Sequence, residues 1–102
     1  LELKSIKHFE SGGENLYVII TYDVSVERVS NVCQYLRKYL NWVQNSVFEG
    51  ELTISELAKI ENDLKNIIDE NKDSITIYIL SSEKALKRKF LGTKKVELIN
   101  II

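Results

Sequence analysis

Between Leu16 and Asp23 the chain alternates with a period of two. Leu16, Val18, Ile20 and Tyr22 fall on one face, and Tyr17, Ile19, Thr21 and Asp23 on the other, in a β-rich run that predicts a strand. The period then lengthens. Ser25 has the chemistry of an N-cap, Glu27 suits the first turn of a helix, and Val29, Val32, Cys33, Leu36 and Leu40 recur at helical spacing. The next segment, Asn41–Leu52 (NWVQNSVFEGEL), is β-prone but long for one strand. Gln44-Asn45-Ser46 interrupts it, which predicts two strand pieces joined by a tight bend. Thr53-Ile54-Ser55-Glu56 has the form of a capping box, and Ile54, Leu57, Ile60, Leu64, Ile67 and Ile68 supply the apolar stripe of a second helix. After a turn at Asn71–Asp73, Ser74–Leu80 (SITIYIL) is the last strong strand. The tail, Ser81–Ile102, opens polar and basic and closes on the apolar VELINII.

The order β-α-β-β-α-β plus a tail predicts an α+β fold, the ferredoxin-like βαββαβ sandwich, in which two helices cover one face of an antiparallel sheet. The other face of the first strand carries Tyr17 and Ile19, and the last strand reads as apolar on both faces. Such a surface calls for cover. A symmetric homodimer is therefore expected, with the apolar tail as an extra C-terminal strand added to a partner's sheet edge. Residues 1–15 are polar and carry Gly12-Gly13. They read as a mobile extension outside a single domain spanning 16–102. Ser-Gly-Gly-Glu-Asn could be encoded by a ribosome-binding site ahead of a TTG start at Leu16, an expectation the codons would test.

The 102 residues, 44% hydrophobic and 28% charged, suit one globular domain with a real core. No run approaches the roughly 18 apolar residues of a membrane span, and a secretory layout is missing. The lone Cys33 cannot form an internal disulfide, so a cytoplasmic setting is expected. Cys33 itself lies in the first helix's stripe and reads as core. The only histidine, His8, precedes Leu16, which excludes a Ser-His or Cys-His catalytic pair inside the domain. Phosphate-cradling glycine loops and zinc-type Cys/His clusters are missing too. What remains is a hard cation held by carboxylates, and Asp23 at the end of the first strand is the candidate. One carboxylate binds Mg²⁺ poorly. If a symmetry axis brought two copies of Asp23 together, they would make one site. The alternative is that Asp23 caps a helix or shapes a turn.

Charge is unevenly spread along a chain of net charge −1. Lys84–Lys95 holds six basic residues and no acid, including Lys87, Arg88 and Lys89, whereas Glu49–Asp73 holds eight acids against three lysines. Arg28, Arg37 and Lys38 add basic positions on the first helix. This polarity is compatible with a strip for a phosphate backbone or with a solvated tail. Trp42 and Phe48 could stack on bases, though aromatic residues at strand spacing are more often core.

YVIITYDVS, then WVQNSVFEGEL before a capped helix, then DSITIYIL and a tail with FLG resemble the Cas-two family of small CRISPR-associated adaptation proteins, from Leu16 to the C-terminus. The resemblance implies a homodimer with crossing C-terminal strands that binds duplex DNA and bridges CRISPR integrase subunits during spacer acquisition. It also implies a Mg²⁺-dependent endonuclease acting on RNA or DNA, with Asp23 as metal ligand and catalytic residue. By the same match Tyr22, Ser46 and Phe48 would line the cleft, and Arg28, Arg37 and Lys38 would contact phosphates. Trp42 stands where many relatives carry an arginine, which weakens a phosphate contact there. Two readings stay open: a scaffold whose partner does the chemistry, and a nuclease. A ferredoxin-like module that binds RNA or a small molecule without catalysis is the alternative.

Overall fold

A computed structural model describes residues 15–93 of the chain. Strand β1 (Asn15–Asp23) leads to helix α1 (Val26–Leu36), then to strands β2 (Asn41–Gln44) and β3 (Val47–Thr53), helix α2 (Ile54–Ile67) and strand β4 (Ser74–Leu80). A short 3₁₀ turn at Glu83–Ala85 follows. The antiparallel sheet has the order β2-β3-β1-β4, so the first strand is central and the last is its neighbour. This is the expected βαββαβ sandwich. The residues expected in the extension, apart from Asn15, and the apolar tail strand both lie outside the described residues.

Alternation in β1 decides the inner face. Leu16, Val18, Ile20 and Tyr22 turn toward the helices and join Phe48 and Leu52 from β3. Val32, Cys33 and Leu36 from α1 and Leu57, Ile60 and Leu64 from α2 close the core from the other side. Each such side chain, taken fully out of water, stabilises the fold by roughly 1.5–3 kcal/mol. Gly50 lies on this face opposite Val18, and a Cβ there would stand 3.0 Å from Leu40 Cδ2; the glycine makes room for Leu40.

Local signals fix the boundaries. Thr53 caps α2 as the sequence predicts: its hydroxyl accepts the Glu56 N–H at 3.0 Å, and the Glu56 carboxylate accepts the Thr53 N–H at 2.9 Å. Asn45 takes φ 37° between β2 and β3, a conformation that asparagine tolerates better than most residues. The Trp42 indole N–H donates to the Asn45 carbonyl at 2.9 Å and braces that bend. Ser25 departs from expectation. It stands at the N-cap of α1, but its side chain makes no cap bond to the helix, because a carboxylate elsewhere captures it.

The outer sheet face carries Tyr17, Ile19, Thr21 and Asp23 in β1, flanked in register by Glu51, Glu49 and Val47 of β3 and by Leu80, Tyr78, Thr76 and Ser74 of β4. The last strand is thus apolar on its inner face, but outside only Tyr78 and Leu80 are apolar; Ser74 and Thr76 make the end beside Asp23 polar.

Candidate functional site at the end of the first strand

Asp23 is exposed, the last residue of β1, and pairs in register with Ser74 at the start of β4. Among the described residues its carboxylate enters no hydrogen bond or ion pair, and no group of three or more His, Cys, Asp or Glu is placed to hold a metal ion.

Just behind it sits a carboxylate in the opposite state. The Asp73 side chain is wholly enclosed. Its Oδ1 accepts the Ser25 N–H at 2.9 Å, the Ser25 hydroxyl at 3.0 Å and Arg28 Nη2 at 3.0 Å. Its Oδ2 accepts Arg28 Nε at 2.5 Å and the Asp69 N–H at 2.9 Å. The Arg28 bond above all, with the backbone donors of Asp69 and Ser25, holds this carboxyl far below the usual carboxylate range against the opposing effect of burial. Sequence reasoning placed Asp73 in a turn and missed its role; the available signal was an acid directly ahead of a strongly apolar strand.

Arg28, expected on phosphates, therefore spends Nε and Nη2 on Asp73, and its Nη1 lies 3.5 Å from Glu27. Arg88 is also engaged, with Glu49. That buried carboxylate accepts Arg88 Nη2 on one oxygen, which also takes the Tyr17 hydroxyl at 2.6 Å. Burial, then the bond to Glu49, pushes the Tyr17 hydroxyl up to about 12. The basic segment after β4 is thereby pinned to the outer sheet face. Arg37, Lys87 and Lys89 are exposed and have no carboxylate partner among the described residues; Lys38, also exposed, lies 6.0 Å from the centre of the Tyr35 ring.

Two of the three residues expected to line a cleft are core instead. Phe48 has no exposure, and Tyr22 stacks on it with ring centroids 6.2 Å apart. The Tyr22 hydroxyl lies 2.7 Å from Cys33 Sγ, and burial followed by that contact raises its pKa well above the ordinary range. Only Ser46 is half-open; its carbonyl accepts the Tyr22 N–H at 3.2 Å.

This architecture has known counterparts. The family described as "CRISPR associated protein Cas2" matches residues 16–88. The chain belongs to the Cas2 family. A Cas2 relative from Methanosarcina acetivorans, named CRISPR-associated endoribonuclease Cas2, is 53% identical over 85% of this chain and all of its own. The relative of that name from Methanocaldococcus jannaschii is 47% identical over 98% of this chain and 90% of its own, an alignment that necessarily reaches into the residues ahead of Leu16. A Cas2 crystal structure superposes with a TM-score of 0.74 at 45% identity, over 86% of this chain and 99% of the other. Streptococcus pyogenes Cas2 at pH 6.5 gives 0.65 at 37% identity, over 74% and 99%.

Magnesium, which the resemblance implies, meets one free carboxylate at the strand end of a Cas2 chain, with the hydroxyl residues Ser74, Thr21 and Thr76 on the same face. Mg²⁺ takes carboxylates together with water and substrate phosphates. Among the described residues of one chain that set is not made.

Proposed function

We propose that this Cas2-family chain serves CRISPR adaptation as a homodimer that holds duplex DNA for integrase subunits, and that it cleaves RNA or DNA with Mg²⁺ only where two Asp23 carboxylates meet. The position of Asp23 carries the reading: an exposed, unengaged acid ends an inner strand on a sheet face that neither described helix covers. A second copy stacked on that face would cover Tyr78 and Ile19 and bring the second carboxylate. Arg37, Lys38, Lys87 and Lys89 are left to neutralise phosphates, since Arg28 and Arg88 are bound internally. Bound between the acids, Mg²⁺ would supply charge neutralisation at the phosphodiester. The names of the relatives support cleavage of RNA.

The test is cleavage of labelled RNA and duplex DNA against Mg²⁺ concentration, with wild type beside Asp23→Ala and both shown to be dimeric. Metal-dependent cleavage that disappears in the variant is the expected result. Equal cleavage in both, or none in either, removes the nuclease half and leaves a DNA-holding scaffold. The scaffold half fails if integrase binding and DNA capture are lost in Asp23→Ala while its dimer stays intact.

A further inference from the structure

Tyr17 and Glu49 are buried although they lie on the sheet face turned away from the helices. Tyr17 pairs in register with Glu51, and Glu49 with Ile19, so the two are diagonal neighbours on that face. The hydroxyl donates to the carboxylate at 2.6 Å. The segment after β4 supplies the third member. β4 ends at Leu80 opposite Tyr17, a 3₁₀ turn at Glu83–Ala85 follows, and Arg88 donates to Glu49 on β3. In a sheet ordered β3-β1-β4, that contact carries the segment across β1.

Leu86 leaves the turn extended, at φ −92° and ψ 127°. Side chains alternate in an extended chain, so an Arg88 directed at the sheet leaves Lys87 and Lys89 directed off it. Both lysines are exposed. A carboxylate is otherwise a poor neighbour for nucleic acid. It repels phosphates within a Debye length of roughly 8–10 Å, and by charge alone its loss should tighten binding. Nor does the sheet need an ion pair here for stability, since apolar side chains of similar volume serve a buried position as well or better.

We infer that Glu49, braced by Tyr17, is the positioning residue of a phosphate-binding strap: by holding Arg88 on the sheet it sets Lys87 and Lys89 outward, in fixed places, for the backbone of duplex DNA. The inference rests on the reading of those lysines as phosphate contacts and deepens it. Arg88 becomes the attachment of the strap and not a contact of its own. A strap already in place loses little freedom when DNA binds, whereas a loose one must be ordered in the same step.

The experiment uses the full-length chain and compares wild type, Glu49→Gln, Arg88→Leu, the Glu49→Gln/Arg88→Leu double variant and Lys87→Ala/Lys89→Ala, all matched for oligomeric state. Affinity for a labelled duplex is read by fluorescence anisotropy across a salt series, and trypsin cleavage after Lys87 and Lys89 by mass spectrometry. Glu49→Gln is expected to weaken duplex binding about tenfold and to speed cleavage by a similar factor, although it removes a negative charge. The double variant should bind no worse than the weaker single variant, because the pair acts together. Arg88→Leu should speed cleavage in the same way, and it keeps the test open if Glu49→Gln fails to fold. Binding that is unchanged or tighter in a folded Glu49→Gln overturns the inference, as does unchanged cleavage in a folded Arg88→Leu. So does an Arg88→Leu loss of equal size with and without Glu49, which marks a direct phosphate contact. An unchanged salt slope in Lys87→Ala/Lys89→Ala instead sinks the reading of the lysines, and the inference falls with it.

Discussion

Phe48 and Asp73 show at the scale of single residues what one strand face and one turn are worth. Phe48 is sealed beneath Tyr22 with no exposure, so Phe48→Ala should destabilise the fold by about 3–5 kcal/mol in urea denaturation. The alternation of β1 already put Tyr22 on the core side with Leu16, Val18 and Ile20, and burial prevails over the cleft role that the family resemblance suggested. Asp73 and Glu49 were not legible, because their partners are remote: Arg28 is 45 residues away from Asp73, and Arg88 is 39 from Glu49. No spacing rule reaches that far. These groups also set the pH response. Burial and the bond to Glu49 push the Tyr17 hydroxyl up to about 12 from its ordinary 10.0, so its stabilisation is full below pH 10 and is lost as pH rises toward 12. Asp73 is depressed, so its stabilisation is present above the unfolded value of 3.8 and is lost only as pH falls well below it. Tyr17→Phe should flatten the alkaline limb and Asp73→Asn the acid limb when denaturation midpoints are plotted against pH.

At the scale of elements the sequence was a good guide wherever structure is made locally. The capping box of α2 spans four residues and formed as written, so Thr53→Ala should remove about 1 kcal/mol from unfolding stability. The bend inferred from Gln44-Asn45-Ser46 narrows to two residues, with Asn45 at φ 37°. Asn45→Gly should therefore be nearly neutral, while Asn45→Val should cost about 1–2 kcal/mol, seen as a lower Tm. The N-terminus of α1 is the exception that explains the rule. Ser25 is a sound N-cap by local chemistry, yet its hydroxyl is turned to donate to a charged acceptor from the α2–β4 connection and accepts no amide N–H of the helix.

At the scale of the whole molecule, one sheet face is a core and the other is a mixed surface of Tyr17, Ile19, Tyr78 and Leu80 beside acids, with a basic segment pinned across it through Arg88. Its exposed lysines define the expected salt response: Lys87→Ala/Lys89→Ala should lower the slope of log affinity for duplex DNA against log salt by about 2, measured by fluorescence anisotropy. An unchanged slope would return the segment to solvent. The strand order has a further consequence for how such a protein comes into being. Among the described strands β1 is made first, and the neighbour that completes it, β4, is made last, with Tyr17 facing Leu80 at the far end of their register. During synthesis Ile20 and Tyr22 must wait beside an empty slot until Ser74–Leu80 has left the ribosome. Contacts this distant in sequence form slowly. The nascent chain therefore stays open and exposed to proteolysis until Leu80 has emerged, and truncation before Leu80 should yield no stable fragment.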